Sequence, residues 1–372
     1  MIQFNRYRSP DDPADLREDI LALIAEMTDD AFRTRLAMPT ETLIKMGAKH
    51  GRHPRLGAIA ARFAFWGAVD WDDIDDMLPE ELPKNFWYAQ EIAGCMGFER
   101  ANRLWHVEED DWYTLQGFAD DIVAPGAGAI HGYVSYQPPN SGFFSVIENI
   151  IAAHIIAEQD GYNLKVDLSG NWWTYEEPFE AIFEDVFEFC NGGLPIMRFH
   201  HMRQRFFDAD LNQAQEMMRR KKGWYNEVYF AISDYAGAPT ESDVGTIFVR
   251  GGDKLKTETI LPPMHVYRKE LDWLRRRCRR RVLLSDDPHL ASIVQGLDFQ
   301  IINRANQVEN GYHHHPQVIQ TSISIMHNYL AMVEAKHNFS CPSANIVNAA
   351  QWSREDDDNY SVSNPVYRYL LI

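Results

Sequence analysis

The sequence predicts an α/β fold, with two doubly wound units that follow a helical N-terminal region. Up to about residue 128, apolar residues recur at the spacing of one helix face, for example at Leu16, Ile20 and Leu23. Beyond that point, short β-rich runs alternate with helical stretches, which is typical of parallel sheets flanked by helices. The divisions we expect are a helical region of unassigned role at 1–128, a first Rossmann-like unit at 129–238 and a second at 239–372.

Each unit is predicted as strands joined by helices. In the first unit we expect strands over 130–136 and 163–168 and helices over 144–159, 176–189 and 198–222. In the second unit we expect strands over 244–249, 282–284, 299–302 and 338–341, with helices over 263–281, 288–295, 317–334 and 343–352. Because open parallel sheets bind ligands at the carboxyl ends of their strands, the predicted site is the cleft between the two units.

The composition excludes some classes of protein. The chain has 372 residues and a net charge of -18, which argues against a general nucleic-acid binder. Its four cysteines are far apart and lack CxxC spacing, as is usual for reduced thiols. No signal peptide is visible, and no apolar run approaches the length of a membrane span. We therefore expect a cytoplasmic protein without a transmembrane segment.

The most informative segment follows the predicted strand 244–249. Arg250 ends that strand, two glycines follow, and Asp253, Lys254 and Glu258 come next. The arginine fork matches phosphate oxygens, glycines let the backbone approach a ligand, and a carboxylate beside other charges is able to serve as a base. The alternative is a surface turn with ordinary ion pairs.

Two further strands are predicted to end in polar turns. Asp286 and Asp287 follow the strand 282–284, and Ser343 opens the helix after the strand 338–341. A helix N-terminus with a serine is able to hold a phosphate through backbone N–H groups. The alternative for all three residues is plain helix capping.

These segments together resemble a known family. The order VRxxDKxxTE at 249–258, SDDP at 285–288 and CPSA at 341–344 is similar to the GDP-fucose-dependent fucosyltransferases, in particular the eukaryotic core α1,6-fucosyltransferase and the rhizobial nodulation fucosyltransferase. A looser similarity covers 140–145, 164–167 and 176–179. The resemblance extends over about 130–372 and leaves the helical region 1–128 unexplained.

The resemblance implies a GT-B-like fold and an inverting, metal-independent transfer of fucose from GDP-fucose to a glycan or other hydroxyl acceptor. Arg250 falls on the arginine that holds the donor phosphates. Glu258 falls on the catalytic base, with Lys254 beside it and Asp253 near enough to tune its charge. No cofactor is implied beyond the GDP-sugar itself, which is the donor substrate.

The resemblance also implies contacts with the donor. They involve the glycine loop near the diphosphate, a phosphate-contacting serine and a pair of acids after the next strand, namely Gly142, Ser343, Asp286 and Asp287. Phe248 stands where the family has a histidine, just before the arginine.

Three positions depart from the family pattern. Besides Phe248, Gly251 replaces a second arginine, and Met326 falls near the position of the aspartate that reads guanine. These departures keep two alternatives open: a non-catalytic relative that binds a GDP-sugar or a glycan, and a transferase that uses a different nucleotide sugar.

The resemblance does not account for two clusters, one of histidines and one of arginines. The adjacent histidines at 313–315 lack the spacing of metal ligands, so we expect no metal site there. The run 275–281 has six arginines around Cys278. In one interpretation, this run contacts an anionic acceptor or membrane headgroups. In the other, it is the solvated end of a helix, where the helix dipole favours positive charges.

Overall fold

The protein is a helix-rich α/β molecule with two small parallel sheets. The structure is a computed structural model and describes residues 12–27, 29, 38–115, 122–126, 131–171, 179–198, 205, 209–237, 243–249, 262–285, 300–301, 318–340 and 345–354. Among the helices described, none is long and apolar enough to cross a membrane. The predicted α/β class is confirmed, since every strand pair described is parallel.

The N-terminal region is helical, as its apolar spacing predicts. Its elements are α1 (Ala14–Met27), α2 (Thr40–His50), α3 (Pro54–Phe65), a 3₁₀ helix (Asp72–Met77), α4 (Phe86–Met96), α5 (Phe98–Trp105) and α6 (Glu109–Leu115). α3 is buried along nearly its whole length. A buried ion pair joins α3 to α4, with the Arg62 Nε atom 2.7 Å from the Glu91 Oε1 atom.

The first sheet contains β1 (Tyr133–Tyr136) and β2 (Asn163–Val166), which are parallel and joined by α7 (Phe143–Gln159). The buried residues of α7 run from Phe143 to Ala157 with only Ser145 left out, so it is a core helix, as predicted. Parallel bridges from Ile196 to Ser135 and from Phe189 to Val166 extend the sheet on both sides. The carboxyl ends of β1 and β2 therefore lie at one edge.

The predicted helix 176–189 is only partly correct. The structure shows a short helix, α8 (Phe179–Phe183), and residues 172–178 lie outside the described part. Beyond α8 the chain turns and runs along β2, where the Val166 N–H donates to the Glu188 carbonyl and the Cys190 N–H donates to the Val166 carbonyl. These bonds to the free edge of β2 replace the helical hydrogen bonds that the sequence pattern predicts.

The predicted helix 198–222 has the wrong bounds. The helix observed, α9, is Leu211–Ala236. A capping box sets its start, because the Asp210 side chain accepts from the Gln213 N–H while the Gln213 side chain accepts from the Asp210 N–H. A Cβ at residue 223 of α9 would overlap the Val123 carbonyl oxygen, so only glycine fits there. Residues 122 and 123 thus pass directly against α9.

The second sheet has four parallel strands, β3 (Val244–Val249), β4 (Arg280–Ser285), β5 (Gln300–Ile301) and β6 (His337–Ser340). Its helices are α10 (Met264–Arg275), α11 (Val318–Glu334) and α12 (Asn345–Ser353). The predicted helix 263–281 is too long, because Arg280 and Arg281 instead pair with Val244 and Gly245 as the first residues of β4.

The strand order of the second sheet is β5-β4-β3-β6. Counted from β3, this is the order 3-2-1-4 that begins a doubly wound nucleotide-binding sheet. The chain moves from β3 to one side through β4 and β5, then returns to place β6 on the other side. The order therefore reverses between β3 and β6.

A buried ion pair joins α9 to α7 within the helical core. α9 packs against α7, α11 and α12. On α9, Lys221 donates to a Glu148 carboxylate oxygen of α7, and the Tyr225 hydroxyl donates to the other oxygen. The Lys221 ammonium also lies 5.2 Å from the ring centre of Trp352 on α12. Burial lowers the pKa of Lys221, while the attraction of Glu148 opposes that change.

We predict that Lys221→Met lowers the free energy of unfolding by about 3–5 kcal/mol, because Glu148 would remain buried without its cation. Lys221→Met combined with Glu148→Gln should recover more than half of that loss, since the neutral glutamine still accepts from Tyr225. Urea unfolding at neutral pH measures both values. Lys222→Met is the matched control, with an expected loss of about 1 kcal/mol. A double variant as unstable as Lys221→Met would contradict the electrostatic explanation.

Candidate functional site

Three strands of the second sheet end side by side. In the register of the sheet, Val249 of β3 pairs with Ser285 of β4, and Phe248 pairs with Ser340 of β6. Because neighbouring strands lie about 4.8 Å apart, the three strand ends fall within roughly 10 Å of one another. The segments that begin at Arg250, Asp286 and Cys341 therefore leave the sheet from one edge.

Buried side-chain hydrogen bonds hold these strand ends together. The Ser285 hydroxyl donates to the Val249 carbonyl oxygen at 2.7 Å. The Thr246 hydroxyl of β3 lies 2.8 Å from the Asn338 Oδ1 atom of β6 and donates to it. Such bonds are strong in a buried environment, so they hold β3 against β4 and β6 close to the edge from which the three segments leave. Sequence reasoning missed both hydroxyl groups, because a serine or threonine within an apolar strand carries no pattern that indicates its partner.

The catalytic and donor residues that the sequence predicts beyond this edge lie outside the described residues. They are Arg250, Asp253, Lys254, Glu258, Asp286, Asp287 and Ser343. Their roles therefore remain predictions. The structure shows the strand ends from which their segments depart.

Gly142 is described, and it lies at the N-terminus of α7, directly after the loop that leaves β1. Its carbonyl accepts from the N–H groups of Ser145 and Val146, and no side chain caps the helix at this position. The positive end of α7 therefore lies where the loop from β1 enters the helix. The positive end of a 17-residue helix in such a position favours an anion.

The loop after β1 is fastened to the loop after β2. The Gln137 Nε2 atom donates to Asp167 at 2.8 Å, and the Ser169 N–H donates to the same carboxylate at 3.0 Å. The Asn171 side chain donates to the Pro138 carbonyl at 3.1 Å. Burial alone would raise the pKa of Asp167, but the hydrogen bonds from Ser169 and Gln137 outweigh it and lower that pKa. In the sequence, the only indication of this link between the two loops is an aspartate directly after a strand.

Contacts between aromatic rings bring the two units together near this loop. The ring of Phe144, two residues after Gly142, lies 4.8 Å from the ring of Tyr329 on α11. Both residues are buried. The N-terminus of α7 therefore packs against α11.

Two of the positions that depart from the family pattern are in the core. Phe248 is 3% exposed and Met326 is fully buried. Phe248 pairs in the sheet with Leu284 and Ser340, and its side chain belongs to the apolar core. Any contact that Phe248 makes with a donor stays a prediction. Met326 offers no carboxylate to a guanine base.

Within the described residues, no group of three or more histidine, cysteine, aspartate and glutamate side chains is arranged to hold a metal ion. The histidines at 313–315 lie outside that part.

Known proteins are similar to this chain in structure but not in sequence. No protein-family model matches the sequence, and no curated protein sequence matches it. Among solved structures, the chain is similar to the crystal structure of NodZ alpha-1,6-fucosyltransferase soaked with GDP-fucose, with 13% sequence identity and a TM-score of 0.35. The match covers 60% of this chain and 92% of that one. A TM-score this low establishes no common fold.

We predict that Asp167→Asn lowers the free energy of unfolding by about 1–2 kcal/mol at neutral pH, because the hydrogen bonds from Gln137 and Ser169 lose their charged acceptor. The difference from the wild type should persist above the ordinary aspartate pKa of 3.8 and vanish as the pH falls through the lowered pKa of the folded protein. Urea titrations across this pH range measure it.

The exposed Asp185→Asn serves as the control, with an expected change within about 0.5 kcal/mol. An Asp167→Asn variant that is as stable as the wild type at neutral pH would contradict the assigned role.

Proposed function

We propose that this protein is a glycosyltransferase whose nucleotide sugar binds at the carboxyl edge of the second sheet. The observation that carries the proposal is the reversal of strand order between β3 and β6, because open α/β sheets bind their ligands outside the strand ends at such a point. The segment with Arg250 follows β3, and the segment with Ser343 follows β6. The residues that resemble a donor site thus flank the reversal.

In the finer proposal, the donor is GDP-fucose and the molecule has a GT-B arrangement. Arg250 binds the diphosphate through its guanidinium fork, and Ser343 and the α7 N-terminus at Gly142 contribute further donors to it. Asp286 and Asp287 follow β4 at the same edge. The motif resemblance of residues 249–258, 285–288 and 341–344 supports this assignment.

The chemistry requires one base and one leaving group. Glu258 accepts the proton of the acceptor hydroxyl, and that oxygen forms a bond to the anomeric carbon of fucose. The bond from this carbon to the diphosphate breaks on the opposite face, and GDP leaves with the electron pair, so the configuration inverts. Lys254 and Asp253 set the charge around Glu258, while Arg250 stabilises the diphosphate that develops.

We also propose that the reaction needs no metal ion. A guanidinium group and a helix N-terminus are able to neutralise a departing diphosphate without one. The motif segments contain paired carboxylates only at Asp286 and Asp287, and the resemblance assigns these to the donor.

One observation favours a second possibility, a different donor or a non-catalytic relative. Met326 is buried and apolar, at the position where the family resemblance calls for an aspartate that reads guanine. A site without that carboxylate loses a hydrogen-bond partner for guanine, which lowers its discrimination between guanine and other nucleobases. A purified protein that binds UDP-sugars in preference to GDP-fucose would support the different donor, and binding of GDP-fucose without GDP release would support the non-catalytic relative.

Two variants are predicted to separate binding from catalysis. Arg250→Ala should weaken GDP binding by roughly 10- to 100-fold, because a charge-assisted bidentate contact is worth about 1.5–3 kcal/mol. Glu258→Gln should bind GDP like the wild type but lower the rate by roughly 10²- to 10⁴-fold, the usual contribution of a general base. Calorimetric titration with GDP and the rate of GDP release from GDP-fucose measure these effects.

Exposed residues supply the controls for these variants. Arg103→Ala and Glu227→Gln remove the same groups from helix surfaces and should leave both binding and rate unchanged. A Glu258→Gln variant that retains more than about a tenth of the rate would remove Glu258 from the mechanism. Unchanged GDP binding in Arg250→Ala would remove Arg250 from the site.

A further inference from the structure

A cluster of cations covers the edge of the second sheet opposite the candidate site. Arg276, Arg277 and Arg279 lie in the turn between α10 and β4, and Lys336 directly precedes β6. All four side chains are exposed. We call these four residues the arginine face. They lie at the amino ends of β4 and β6, so the arginine face takes no part in binding at the carboxyl edge.

The position of the arginine face is not explained by a helix end alone. α10 ends at Arg275, which pairs with Asp272 at 3.1 Å, and the arginine face follows that end. The Arg277 guanidinium lies 4.0 Å from the ring centre of Trp273, and the Lys336 ammonium donates to the Arg277 carbonyl. Of these four cations, Lys336 forms an ion pair with a described residue, since its ammonium lies 3.3 Å from a carboxylate oxygen of Asp243.

The lowered pKa of His337 agrees with a concentration of positive charge in this region. Its pKa is lowered to about 4, first by burial and then by the charges of Lys336, Arg354 and Arg277. Asp243 opposes these effects but does not cancel them. A cationic surface persists here although the chain as a whole carries a net charge of -18. Such a surface attracts a group of carboxylates or another anion.

The described part of the chain ends close to the arginine face. α12 ends at Ser353, and the guanidinium of the next residue, Arg354, donates to the carbonyls of Met332 and Val333 and, at 3.4 Å, to that of Lys336. Arg354 is followed by four consecutive acidic residues, Glu355, Asp356, Asp357 and Asp358. The backbone therefore leaves the described structure beside Lys336 with four negative charges.

We propose that the arginine face is a docking surface for an acidic peptide segment and that its occupant is the chain's own segment 355–358. Four extended residues reach about 13 Å, and the segment starts where Arg354 contacts Lys336. Covalent attachment gives the carboxylates an effective concentration in the millimolar range. A free anion lacks the high effective concentration of an attached segment. The headgroups of an anionic membrane lack it too, and the rest of this acidic chain repels them.

Zero-length cross-linking of the full chain with a water-soluble carbodiimide tests the proposal. The reagent activates a carboxylate, and the amine of Lys336 then forms an amide bond with it if the two groups touch. We expect cross-linked peptides that join Lys336 to 355–358 in dilute buffer. Their yield should fall at least roughly tenfold at 1 M NaCl, where the Debye length is only about 3 Å.

The cross-link from Lys336 to Asp243 is the internal reference, because it shows that Lys336 reacts. A Lys336–Asp243 product without any product from 355–358 would overturn the proposal. Lys336→Arg keeps the charge but should remove both products, which confirms the assignment of the peptides.

A second experiment distinguishes the internal segment from an external anion. In the full chain, the four substitutions E355Q, D356N, D357N and D358N should raise binding to phosphatidylcholine vesicles that contain phosphatidylserine by roughly tenfold or more, because the vacated arginine face contacts the anionic lipid. The matched control D72N, D73N, D75N and D76N removes the same charge from the exposed surface of the 3₁₀ helix and should raise it far less.

Equal gains in the two variants would show an effect of net charge alone and overturn the proposal. The proposal would also be overturned if the wild-type protein bound these vesicles as strongly as the variant with the substitutions E355Q, D356N, D357N and D358N.

Discussion

The structure depends on the buried ion pair between Lys221 and Glu148. Each charge is tolerated in the core only because the other is beside it, since an unpaired buried charge costs several kcal/mol. The pair therefore requires α9 and α7 to meet in one register. Tyr225 completes the bonds of the carboxylate, and Trp352 brings α12 to the same point. Through this cluster, helices from the first and second units form one continuous core.

Packing against that core fixes the positions of the two sheets. The sheets in turn fix the positions of the strand ends and the helix end at the candidate site. The second sheet holds its three strand ends in register by backbone pairing and by the buried hydroxyl bonds of Ser285 and Thr246. The first sheet contributes the N-terminus of α7 at Gly142, and the contact between Phe144 and Tyr329 brings it against the second unit. The rigid parts of the site thus come from strand ends and a helix end, while the reactive groups are predicted on the segments that follow.

The sequence predicts some strands and helices to within one residue and gives wrong bounds for others. The strand β3 has the bounds that its apolar run predicts, and α7 differs from its prediction by one residue. The bounds of α9 could not be predicted from periodicity, because its start depends on a local capping box at Asp210 and its polar face obscures its length. The parallel pairing of Phe189 with Val166 is a contact between distant residues, and local propensity carries no information about it.

We propose that the carboxyl edge of the second sheet binds a GDP-sugar without a metal ion. The most direct test is a thermal-unfolding titration of the purified protein with GDP-fucose and with UDP-sugars, each in the presence of EDTA. At a hundred times its dissociation constant, a bound donor adds about 2.7 kcal/mol to the free energy of unfolding. The account predicts that stabilisation for GDP-fucose in EDTA. Stabilisation by UDP-sugars alone, or by GDP-fucose only with added Mg²⁺ or Mn²⁺, would contradict it.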